Sequence, residues 1–128
     1  MKVRCIKLLD GDGHEVEYTP WFQLGKIYQV MGISVDIKNQ KTYYLVISNY
    51  DYPGRGMMMS EYGSAFEVVS NNVPSNWKIK IYQETHYLEI LPAAWFDNNF
   101  LERFYDRDPE TFPIFERERD LIMNEDPL

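Results

Sequence analysis

Residues 24–48 read L-G-K-I-Y-Q-V-M-G-I-S-V-D-I-K-N-Q-K-T-Y-Y-L-V-I-S, and this stretch decides the fold. Two runs rich in β-branched and aromatic residues flank a polar turn, D-I-K-N-Q-K, which is a hairpin signal. In the first run, Lys26 to Ile33, Tyr28 and Val30 fall on one face and Ile27 and Met31 on the other. Apolar residues on both faces predict a central strand. Thr42 to Ser48 is its partner.

Outward from the hairpin, K-V-R-C-I-K-L-L at 2–9 predicts a first strand, followed by an Asp10-Gly11-Asp12-Gly13 turn and a short return strand at Glu15 to Tyr18. Thr19-Pro20-Trp21 breaks that strand, because proline cannot donate to a ladder. Asn49 to Gly56 (N-Y-D-Y-P-G-R-G) is a loop by composition. Met57 to Ser60 reads as a short edge strand, and Phe66 to Ser70 closes the set. After a connector at 71–76, Trp77 to Ile81 alternates apolar and lysine residues, as a half-buried strand does. His86 to Leu91 is its hairpin partner, and the pair is expected to extend the sheet. Pro92 suits the first position of a helix, which runs on to Tyr105 with Asp97-Asn98-Asn99 weakening its middle. Asp108-Pro109-Glu110 starts a second helix, with Phe115 and Ile122 on its apolar face. The fold class expected is α+β: a small curled antiparallel sheet or barrel, an added hairpin and two carboxyl-terminal helices. The 128 residues form one domain on this reading, with a β part to residue 70, a hairpin at 71–91 and an acidic helical part at 92–128.

Composition narrows the class of protein. Aromatic residues make up 16% of the chain, which opposes disorder. The single cysteine, Cys5, excludes an intramolecular disulfide and fits a reducing compartment. No apolar run matches a signal peptide or approaches the ~18 residues of a membrane span, so a cytoplasmic protein that does not enter membranes is expected. Net charge is −7, unevenly spread. Residues 1–70 carry seven Lys or Arg against eight Asp or Glu; residues 71–128 carry six against twelve. Such a balance opposes direct nucleic-acid binding and suits a basic protein partner, although plain solubility explains it as well.

Catalytic and metal motifs fail on inspection. Asp10-x-Asp12-Gly13 opens like a calcium loop, but the sixth and twelfth positions are Glu15 and Trp21 rather than Gly and Glu. Pro53-Gly54-Arg55-Gly56 lacks the Gly-Lys-Ser/Thr of a phosphate loop. His14 and His86 have no zinc-spaced neighbours, and Cys5 lies in a strand without a thiolate-activating signal. Neither a cofactor nor a metal is expected. What remains is binding. Tyr50, Tyr52 and Arg55 are residue types enriched at interfaces. Glu102 and Asp106, like Glu116 and Asp120, are spaced to share helix faces. Arg103, Arg107, Arg117 and Arg119 interleave with them, which also fits a solvated, ion-paired surface.

The segments C-I-K at 5–7, L-G-K-I-Y-Q-V at 24–30, Y-Y-L-V-I at 43–47 and F-E-V-V at 66–69 resemble a bacterial SH3-like barrel over about half the chain. P-S-N-W at 74–77, I-L-P-A-A-W at 90–95, F-L-E-R-F-Y-D-R-D-P-E at 100–110 and F-E-R-E-R-D at 115–120 resemble small bacterial proteins of the immunity class. That resemblance implies a cytoplasmic, non-enzymatic inhibitor that occludes a basic toxin domain. Glu102, Asp106, Asp108, Glu110, Glu116 and Asp120 would then steer and pair with the toxin, with Tyr105, Tyr50 and Tyr52 as anchors. Two other readings stay open: a small-molecule or peptide-binding domain with residues 49–56 as its mouth, and a scaffolding subunit. Exposed aromatics would also serve a homodimer.

Overall fold

The computed structural model describes residues 1–49 and 58–128. The fold is α+β. Seven strands form one antiparallel sheet: β1 (Lys2–Cys5), β2 (Ile27–Asp36), β3 (Lys41–Ile47), β4 (Met58–Tyr62), β5 (Phe66–Ser70), β6 (Trp77–Tyr82) and β7 (Tyr87–Pro92). Helices α1 (Phe100–Tyr105) and α2 (Phe112–Glu125) follow. The main strand order is β4-β3-β2-β1-β5, and β7 joins β2 with β6 outside it. Of the two forms expected, the curled sheet is the one present. No ladder among the described residues joins β4 to β5, so the sheet does not close into a barrel.

Strand β2 organises the molecule. Its first half pairs with β1 at Ile27 to Gln29, and its second half pairs with β7 at Ile33 to Asp36. β3 runs along its other edge, with an irregularity between Val30 and Gly32. The central position expected from two apolar faces is therefore present, and each face serves a different core. Tyr28 and Val30 enter a first core with Val3, Cys5, Phe22, Val46 and Phe66. Met31 enters a second core with Met58, Leu91, Trp95, Phe100, Phe115 and Ile122. Gly32 sits where β7 crosses closely: a Cβ there would lie 2.8 Å from the Ile90 carbonyl oxygen.

The second core is an aromatic stack. Trp95 lies parallel to Phe100 at 5.5 Å, and Phe104 meets Phe115 at 4.4 Å. The weak middle of the predicted helix is a true break. A 3-10 turn over Ala93–Phe96 gives way to Asn98 and Asn99, both left-handed, before α1 begins. Asp108 caps the next segment by accepting from the Glu110 amide, and α2 runs from Phe112 to Glu125. Its end is tied to the start of the chain. The Asp126 carboxylate accepts from Ser70 Oγ at 2.6 Å and pairs with the amino-terminal ammonium at 3.1 Å and Lys2 Nζ at 3.3 Å. Hydrogen bonding from Ser70, aided by these cations, holds its carboxyl at about 2.

Three local expectations need correction. The first strand ends at Cys5 rather than residue 9, because the chain turns away after its last pair with Phe66. The return strand at Glu15 to Tyr18 shrinks to one bridge, Leu9 to Glu15. The third concerns β6, whose apolar face was expected to be half-buried. Trp77 is, with its indole N–H donating to the Met31 carbonyl at 3.0 Å. Ile79 and Ile81, however, are 58% and 60% exposed. The helices pack on the other side of the sheet, and among the described residues nothing covers the outer end of the isoleucine face at Ile79 and Ile81. Among the described residues, no helix is long and apolar enough to cross a membrane.

Candidate functional site

Asp108, Glu110, Glu118 and Asp120 of the carboxyl-terminal part pair with their own arginines. Arg103 donates from Nε to Asp108 at 2.8 Å and from a terminal nitrogen to Glu110 at 3.2 Å. The hydrogen bond from Arg103, with that from the Glu110 amide, holds the Asp108 carboxyl below its ordinary range. Arg119 pairs with Asp120 at 3.0 Å and Arg117 with Glu118 at 3.6 Å. Glu116 is half-buried, whereas Glu102 and Asp106 are exposed on α1 and its end. Tyr105 shows a ring edge to solvent, but its hydroxyl is enclosed and donates to the Met58 carbonyl at 3.1 Å. Burial pushes its pKa up to about 12. It acts as a strut between α1 and β4. Tyr50, Tyr52 and Arg55 lie outside the described residues.

A different set of side chains converges on a cleft of about 510 Å³ between the loop after β1 and strands β3 and β4. The loop is built by Asp10. Its Oδ1 accepts from the amides of Asp12 and His14, both at 2.9 Å, and these bonds, that from His14 foremost, hold its carboxyl below the ordinary range. Gly13 closes the turn at φ +83°, which L side chains adopt only with strain. The Tyr62 ring lies 3.4 Å from where a Gly13 Cβ would sit, and its hydroxyl donates to the Gly11 carbonyl at 3.0 Å. Tyr62 thus props the turn against β4.

Tyr18, Trp21, Tyr43 and Tyr62 contribute aromatic walls to this cleft, and Asp10 and Glu61 contribute carboxylates. Tyr43 and Tyr62 face each other across the β3–β4 ladder at 5.3 Å between rings. Tyr18 stands 77% exposed on the rim. Glu61 is half-buried and accepts a hydrogen bond from the neighbouring Tyr62 amide at 2.8 Å. Burial raises its pKa, because desolvation penalises the charged form. Among the described residues, none of those lining the cleft is Lys or Arg. Aromatic faces around carboxylates are chemistry suited to a cationic group.

Sequence reasoning did not find this cleft. Pro20 and Trp21 registered only as a strand breaker, and Tyr43 only as a strand residue. The available signal was the density of aromatics at 18, 21, 43 and 62 beside acids at 10 and 61. Asp10, Asp12 and His14 also bring one potential metal-ligand atom each within 4.8 Å. All three are exposed and Asp10 is occupied by turn amides, so the cluster reads as a turn. Cys5 is buried, donates to the Lys7 carbonyl at 3.3 Å, and has its thiol pKa raised by desolvation, as fits a structural cysteine.

No protein-family model matches the chain, and neither a curated protein nor a solved structure matches it significantly.

Proposed function

We propose that this protein is a binding module for a basic polypeptide, and that it works by occlusion, as an immunity-type inhibitor does, without catalysis of its own. The observation that carries this reading is Glu61: a half-buried carboxylate with a raised pKa, in an aromatic-walled cleft that Asp10 also lines and that no Lys or Arg lines among the described residues. A Lys or Arg side chain inserted there would restore the stability of the charged Glu61 and stack on Tyr or Trp faces. The overall charge of −7 would speed its approach. The acidic helices contribute mainly to this long-range field, with Asp108, Glu110, Glu118 and Asp120 already paired with arginine at short range.

The test is a pull-down from lysate of the source cell with the wild-type chain and Glu61→Gln as parallel baits, washed at low and then high salt. A basic polypeptide retained by the wild type, released by salt and depleted on Glu61→Gln supports the proposal. Equal retention on both baits contradicts it. The cleft volume also falls in the range of small-ligand pockets, which favours a second reading: a small organic cation in the same aromatic cage. A saturable thermal shift with a quaternary ammonium compound, abolished in Glu61→Gln, would select that reading instead.

A further inference from the structure

Strand β6 is the outer strand of the β6–β7 hairpin, and among the described residues its far edge pairs with nothing. Its side chains alternate strictly: Lys78 and Lys80 on one face, Ile79 and Ile81 on the other. The ladders place Ile79 opposite Ile90 and Ile81 opposite Leu88, and β2 continues the same face with Ile33 and Val35. An apolar three-strand surface thus runs out to an edge where Ile79 and Ile81 are more than half exposed. Exposed apolar surface at an open edge invites an added strand.

The charges at that edge say which strand fits. On the inner side, β7 supplies Glu89 directly across from Lys80. On the outer side, among the described residues, no ion pair with a carboxylate engages Lys78 or Lys80. A second copy of β6 is a poor occupant: the antiparallel register that sets Ile79 against Ile79 sets each Lys78 against a Lys80, and like charges directly opposite are destabilising. An incoming strand with acidic residues at alternate positions and apolar residues between them satisfies both faces at once. We propose that β6 is a docking edge for an extended partner segment of this alternating acidic and apolar character, bound by strand addition. The surface is independent of the cleft at Glu61 and concerns the opposite charge.

The experiment uses the full chain labelled with nitrogen-15 and two synthetic nonapeptides, one alternating Glu and Ile, the other alternating Lys and Ile. The Glu peptide is expected to give saturable amide shifts concentrated on residues 77–82, with at least tenfold higher affinity than the Lys peptide. Lys78→Glu combined with Lys80→Glu, on an exposed strand, is expected to reverse that preference. Equal affinity for both peptides, saturation elsewhere than β6, or concentration-dependent self-association through residues 77–82 without peptide would each overturn the proposal. The wild-type titration decides the matter even if the double variant folds poorly.

Discussion

The acidic carboxyl-terminal helices and the cleft over β3 and β4 differ in what their charges are free to do. The helices hold most of the net negative charge, yet Asp108, Glu110 and Asp120 lie against Arg103 or Arg119 within 3.2 Å. Among the described residues the cleft holds the acids Asp10 and Glu61 and no arginine or lysine, and Glu61 is charged at a cost set by its burial. Formal charge counted along a sequence therefore overstates what a surface offers a partner. A half-buried carboxylate in an aromatic setting offers a partner a different contact from that of an acidic segment partly paired with its own arginines.

The helical side breaks most readily at its core. Phe115 is fully buried between Trp95 and Phe104, so Phe115→Ala is expected to destabilise the fold by about 3–5 kcal/mol in urea unfolding. A loss under 1 kcal/mol would mean that the helices do not share the sheet's cooperativity. Next in size is Asp126→Asn, expected to cost about 2 kcal/mol at neutral pH by removing a carboxylate bonded to Ser70 and two cations. Its folded pKa lies below the ordinary carboxylate value, so its contribution is complete above that ordinary value, about 4. It fades as pH falls towards about 2. Wild type and variant should accordingly converge in stability near pH 2, which acid-range urea titrations would check.

Binding sharpens the contrast further. Glu61→Gln is expected to weaken a basic ligand about tenfold, equivalent to about 1.4 kcal/mol. Joint neutralisation of Glu102, Asp106, Glu116 and Asp120 is expected to lower the association rate and its salt dependence while changing dissociation little. Surface plasmon resonance at two salt concentrations separates the two effects. The smallest expected effect is on stability. Glu61 has a raised folded pKa, so ionising it above the unfolded value costs stability. Glu61→Gln should be slightly more stable than the wild type at pH 7 and no more stable well below the unfolded pKa. A variant both slightly more stable and weaker in binding is the pattern of a residue kept for recognition.

Much of the sheet was legible in the chain. Phe66–Ser70 is a strand with the bounds its composition suggests, β2 is central as its two apolar faces require, and Asp97-Asn98-Asn99 does interrupt the helix. The attachment of the last hairpin to the sheet also followed. Coverage was not legible. Alternation at Trp77 to Ile81 defines two faces, but only the placement of α1 and α2 decides that the isoleucine face stays open. The cleft was hidden for a related reason. The loop residues Asp10, Tyr18 and Trp21 are distant in sequence from Tyr43 and Glu61 and meet them through the β3–β4 register and a loop whose path has almost no ladder of its own.

The most direct test is an amide-shift titration of the full chain with an arginine-rich nonapeptide, or with the basic partner once captured. Saturable shifts confined to residues 9–21, Tyr43 and 59–62, and lost in Glu61→Gln, are the result predicted. Shifts that instead follow residues 102–120 and survive Glu61→Gln would contradict the cleft and return the interface to the acidic helices.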